Sequence, residues 1–77
     1  MAQILSPLPG TFYRSPSPDK PPYKVDGDAV AAGDVIGLIE VMKSFHEVTA
    51  EASGTNIRFI ADNEDPVVAG APLADVD

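Results

Sequence analysis

The chain has 77 residues, with five basic and twelve acidic side chains, a formal net charge of −7 and no cysteine. That balance argues against nucleic acid and against anionic membrane surfaces as partners, and it suits partner proteins with basic docking faces. Without cysteine there is neither a disulfide nor a thiolate metal site, so one small domain, residues 1–77, must hold by packing and closed hydrogen bonding alone.

No apolar run approaches the roughly 20 residues of a membrane span. Residues 1–10 lack a basic start followed by an apolar block, so no signal peptide is expected and the expected setting is cytoplasmic. Eight prolines and six glycines punctuate the chain, with Val, Ile, Thr, Phe and Tyr between them. No segment keeps helical period for three turns. The pattern predicts an all-β domain of short strands.

Taken in order, residues 4–13 predict a broken strand, excluded from a central ladder position by Pro7 and Pro9. Residues 15–22 carry Pro16, Pro18, Pro21 and Pro22. They predict a stiff, polyproline-like loop, since proline lacks the amide donor and restrains its predecessor. Tyr23-Lys24-Val25 predicts a short strand, Asp26-Gly27-Asp28 a turn, and Gly33-Asp34 a second turn. Two apolar runs follow, Val35 to Ile39 and Phe45 to Ala50, separated by the polar Glu40-Val41-Met42-Lys43-Ser44. A chain reversal at that polar point would leave the Lys43 amine in water. Residues 51–54 predict a turn, 55–60 a strand, and 62–66 a further turn.

Residues 67–76 echo 30–39. Asp28-Ala29-Val30-Ala31-Ala32-Gly33 lies over Asp65-Pro66-Val67-Val68-Ala69-Gly70 at an offset of 37, while Gly10-Thr11 lies over Gly54-Thr55 at an offset of 44. The difference of 7 means that the first half carries seven extra residues between Thr11 and Asp28, where the proline loop lies. Two similar half-domains related by a pseudo-two-fold axis follow from this repeat, and closure into a small sandwich or flattened barrel leaves few free edges. The expected core is Leu8, Phe12, Val30, Val35, Leu38, Val41, Val48, Ile57, Ile60, Val67, Leu73 and Val76.

Glu40-Val41-Met42-Lys43, followed by Ser53-Gly54-Thr55 and preceded by residues 9–19, PGTFYRSPSPD, resembles the biotin carboxyl carrier proteins, most closely those of the bacterial acetyl-CoA carboxylase type. The resemblance runs from Ile4 to Val76. It implies a flattened barrel-sandwich hybrid of two four-stranded antiparallel sheets with quasi-two-fold symmetry, and an acceptor lysine on a tight hairpin turn. It implies that Lys43 is biotinylated by biotin protein ligase, with Met42, Glu40, Val41 and Ser44 as its acceptor segment. It further implies that carboxybiotin is carried between a biotin carboxylase subunit and a carboxyltransferase subunit. The seven-residue surplus, at about 15–22, falls where these carriers have a protruding thumb loop. Two positions depart from the usual pattern: Val41 stands where the family usually has Ala, and Ser44 where it usually has Met.

Other readings of the same residues bear on this. A lone lysine in a polar turn is ordinarily a solvated surface group, and Met42 could be core filler. Residues Met42-Lys43 lack the Asn-Gly that two-residue turns prefer, so propensity alone does not place a hairpin here. His46 is the only histidine, and with Glu47 beside it does not make a metal site. The Asp-rich stretches at 26–28 and 62–65 lack calcium-loop spacing and predict turns. No nucleophile–base set and no phosphate-cradling glycine loop is present, so nothing supports catalysis by the chain itself. A lipoyl carrier domain and an unmodified adaptor of the same fold are the competing functions.

Overall fold

The computed structural model describes residues 2–77. Seven strands form two antiparallel sheets: β1 (Ala2–Leu5), β2 (Gly10–Tyr13), β3 (Val35–Val41), β4 (Ser44–Thr49), β5 (Ile57–Phe59), β6 (Asp65–Val67) and β7 (Pro72–Val76). One sheet has the order β1-β7-β5 and the other β4-β3-β2-β6. The fourth place in the shorter sheet is taken by residues 27–30. Val30 and Gly54 exchange backbone hydrogen bonds at 3.0 and 2.9 Å, Gly27 donates to Ile57 at 2.8 Å, and Ile57 donates to Asp28 at 2.9 Å.

The quasi-two-fold repeat is visible bond by bond. Gly33 donates to the carbonyl of Ala50, and Gly70, 37 residues on, donates to that of Ser6, 44 residues back. The 31–34 and 68–71 turns close identically, Asp34 onto Ala31 and Ala71 onto Val68, and both need the left-handed backbone that glycine adopts freely, at Gly33 (φ 94°) and Gly70 (φ 85°). The β3–β4 ladder pairs Ile39 with His46 and Leu38 with Glu47, and its equivalent pairs Val76 with Ala2 and Asp75 with Gln3. In one half this ladder is joined by the turn at Met42-Lys43; in the other it is built from the two ends of the described chain.

The core lies between the sheets. Phe12, Ile36, Ile39, Ile57 and Leu73 have no accessible surface, with Ile4, Val30, Val48 and Val76 nearly as buried. Each such side chain stabilises the fold by roughly 1.5–3 kcal/mol before entropy is subtracted. Leu8, Val41 and Val67 pack half-buried against this cluster. Val35 is half-buried rather than core, because a register shift between Val35 and Gly37 turns Ile36 inward instead. Leu38 is buried on the opposite face, among its cross-strand neighbours Tyr13 and Glu47.

Ile60, expected in the core, is 49% exposed. Its N–H and that of Ala61 both bond the carbonyl of Leu73, at 2.8 and 3.2 Å. Two residues opposing one is a bulge, which breaks the two-residue period and sends Ala61 inward in place of Ile60.

The prolines at 7 and 9 fall in the crossing between β1 and β2, so β2, free of proline, occupies a central position and not the expected edge. Tyr23-Lys24-Val25 forms no strand. The N–H of Tyr23 instead donates to Arg14 at 2.9 Å and closes the neck of the 15–22 loop.

Candidate functional site

The β3–β4 hairpin ends in a charged tip that is exposed to water. Glu40 pairs with Phe45 and Val41 with Ser44, which leaves a two-residue turn of Met42 and Lys43. Both have positive φ, 50° and 67°, the signature of the primed turns whose twist matches paired strands. Neither is Gly, Asn or Asp, and left-handed backbone costs a residue with a β-carbon about 1–2 kcal/mol. A β-ladder below that forces such a conformation on two unsuited residues fits a site where strain serves use.

Residues 40–44 are therefore brought together at one tip. Lys43 and Ser44 are exposed, Met42 is 94% exposed, and Glu40 and Val41 are half-buried at the base. Val41 anchors the tip by packing against the core cluster. The exposure of Met42 sets aside a core-filling role. On β4 the exposed run continues from Ser44 through Glu47, so the tip projects beyond the packed body and His46, although opposite the buried Ile39, is in water.

Beside the hairpin lies a cleft of about 350 Å³. Tyr13 and Phe45 form its wall on the hairpin side, residues 15–18 form the facing wall, and Asn63 and Glu64 complete it. The loop is braced internally: Ser15 Oγ donates to the Ser17 carbonyl at 3.1 Å, Ser17 Oγ to Asp19 Oδ1 at 2.6 Å, and Lys20 N–H to the Ser17 carbonyl at 3.1 Å. At its root, Arg14 N–H donates to Asn63 Oδ1 at 2.8 Å, and the Arg14 guanidinium lies 4.1 Å from the centre of the Phe59 ring.

Sequence reading assigned no role to Tyr13 or Phe45. The Tyr13 hydroxyl donates to Glu40 Oε1 at 3.0 Å, and the two rings lie 6.1 Å apart at 55°. The hydrogen bond to Glu40, partial desolvation and the nearby charges of Glu40 and Glu64 all raise the phenol pKa above its ordinary value of 10.0, so it stays a donor. Their signal is one of register: Tyr13 opposes Leu38 and Phe45 opposes Glu40, which becomes visible only once β2, β3 and β4 are paired.

Two layers of short strands that present an exposed lysine at a strained hairpin tip beside a cleft have the geometry expected of an attachment domain. The family described as "Biotin-requiring enzyme", the biotin–lipoyl family, matches residues 2–76, and the chain belongs to it. The chain is 46% identical over 70 residues to the biotin carboxyl carrier protein of acetyl-CoA carboxylase 2, chloroplastic, of Arabidopsis thaliana, covering 91% of this chain and 28% of that protein. It is 43% identical over 70 residues to the carrier of Chlamydia pneumoniae, covering 91% and 42%, and 37% identical over 73 residues to that of Nostoc sp., covering 95% and 40%. The chain thus spans from about a quarter to under half the length of these relatives.

Proposed function

We propose that this domain is the biotin carboxyl carrier unit of an acetyl-CoA carboxylase-type enzyme, with Lys43 as the residue that biotin protein ligase acylates. The observation that carries the reading is the placement of Lys43: an exposed residue at positive φ, at the tip of the β3–β4 hairpin, which projects beyond the core. The names and coverage of the relatives support the choice of biotin and of acetyl-CoA carboxylase.

The residues fit the group. Lys43 supplies the nitrogen for an amide to the biotin carboxyl. That amine attacks an activated acyl-adenylate only without its proton, so the ligase site supplies the base. Met42 and Ser44 flank the amine with one apolar and one small polar surface, Val41 ties the turn to the core, and Glu40 gives the ligase an acidic mark three residues before the acceptor. The 15–22 loop is read as the thumb of this subgroup, and its cleft with Tyr13 and Phe45 offers apolar walls close to the attachment point. Bound biotin supplies a ureido nitrogen able to hold a carboxyl group. The chain contributes reach and effective concentration on the order of mM, not chemistry of its own. The acidic surface suits transient docking on a biotin carboxylase subunit and a carboxyltransferase subunit. The setting is taken to be cytoplasmic.

Intact-mass analysis after co-expression with a biotin protein ligase tests this. One biotinoyl adduct is expected on the native chain and none on Lys43→Arg. A lipoyl adduct with lipoylating enzymes, or a lysine left bare by an active biotin ligase, overturns the reading.

A further inference from the structure

One side chain joins the thumb, both arms of the hairpin and the acidic mark. Tyr13 ends β2, and the next residue, Arg14, provides the carbonyl that closes the 15–22 loop. The Tyr13 hydroxyl reaches Glu40 Oε1 on the outgoing arm at 3.0 Å. Its ring rests against Phe45 on the returning arm, 6.1 Å between centres. Phe45 is itself the cross-strand partner of Glu40. Among the described residues this is the only side-chain hydrogen bond that joins a side chain on one strand to a side chain on another. All three groups share the outer face of the sheet, since Glu40, Leu38 and Tyr13 stand at alternating or directly opposed positions. Glu40 is half-buried, and its carboxylate is held instead of sampling the several rotamers open to an unattached glutamate.

We infer that Tyr13 is a positioning residue for acylation of Lys43, acting through Glu40: it fixes the carboxylate so that the ligase meets a preformed acidic group at a set distance from the acceptor amine. This deepens the acceptor reading above and rests on it. A glutamate already immobilised loses little freedom on docking, whereas a free one must be ordered at that moment. The benefit therefore falls on carrier binding and not on the acyl-transfer step, where Glu40 takes no part. The phenol keeps its proton across the neutral range, so the donor is present throughout it.

The test is Tyr13→Phe, which keeps the ring against Phe45 and removes only the hydroxyl, with Glu40→Gln and the double variant beside it. In steady-state ligase assays, Tyr13→Phe is expected to raise KM for the carrier about three- to ten-fold and to leave kcat within about two-fold, the cost of ordering one long side chain on docking. The double variant should match Glu40→Gln alone, because Tyr13 then has no acidic group to place before the ligase. A ligase-independent readout runs in parallel: side-chain NMR should show one Glu40 rotamer in the native chain and averaging in Tyr13→Phe, with an unchanged thermal midpoint as the folding control. Equal KM for Tyr13→Phe and native carrier, additive effects in the double variant, or an averaged Glu40 in the native chain overturns the inference while leaving the acceptor reading intact. Failure of the native chain to be acylated overturns both.

Discussion

A β-carbon placed on Gly10 would collide with the carbonyl oxygen of Glu40, with Ile39 Cγ2 at 2.9 Å. The obstacle is backbone at the base of the β3–β4 hairpin, so it cannot step aside as a flexible side chain would. A β-carbon on Gly54, at the equivalent place in the other half, would collide with Val76 Cγ1 and the carbonyl of Asp77. Gly10→Ala is therefore expected to destabilise by about 1–3 kcal/mol, the range for overpacking, read as a lower midpoint in thermal or urea unfolding, and Gly54→Ala should behave alike. Asp34 makes a prediction of a different kind. Its Oδ2 accepts the N–H of Ala31 at 2.9 Å and lies 3.3 Å from Lys24 Nζ. The first bond chiefly, then the lysine, holds the carboxyl below its ordinary 3.8. Between the lowered native value and 3.8 the unfolded chain binds more protons than the folded one, so stability rises with pH there. The contribution is fully present above that window and is lost as pH falls through the native value. Asp34→Asn should therefore melt below the native chain at neutral pH, and the two curves should converge in strong acid.

At the scale of the element, the hairpin shows where sequence reading succeeded and where it had to borrow. Alternation and turn residues were enough to place the two apolar runs as β3 and β4 and to set Lys43 between them. Turn propensity pointed away from Met42-Lys43, and family resemblance supplied the turn that both positive φ values now display. The ladder overrules local preference because Val41, Ile39 and Val48 can be buried in only one register. The bulges at Val35 and Ile60 were illegible for the converse reason: a two-residue period has no means of announcing that it will skip. Replacing Met42-Lys43 with Asn-Gly gives the turn its preferred chemistry and should stabilise the domain by about 1–2 kcal/mol. For a domain of this size that is a rise in melting temperature of roughly 4–8 °C per kcal/mol. Lys43→Arg should stay within about 0.5 kcal/mol of the native chain. Both variants lose the Lys43 amine, so the gain in the first measures the strain that the native tip carries.

The described residues form two similar halves, and the largest difference in chain length between them falls at a single place. Arg14 and Tyr23 are bridged by a backbone hydrogen bond with eight residues between them, whereas their equivalents by the two offsets, Arg58 and Ile60, have Phe59 alone between them. The two four-membered layers also correspond in their turn glycines and in the close glycine approaches to Glu40 and Asp77. The 15–22 loop is thus an addition to a frame that is closed without it. Pro16, Pro18, Lys20, Pro21 and Pro22 are exposed and no residue of the loop belongs to the core cluster. Replacing residues 15–22 with a single glycine removes little buried apolar surface, and shortening a loop lowers its closure entropy by about 0.6 kcal/mol for each halving, less where prolines have already stiffened it. The shortened chain is expected to unfold in one cooperative transition with a midpoint equal to or above the native value. A fall of several degrees would show instead that the loop is part of the packing. Because Lys43, Met42 and Glu40 lie on the frame and not on the loop, ligase should still acylate the shortened carrier, while the cleft between residues 15–18 and Phe45 disappears. Comparing the mobility of the attached group in the two forms by NMR relaxation then isolates what the added loop does: a freer arm in the shortened form assigns the loop to holding the cofactor, and an unchanged arm removes that role.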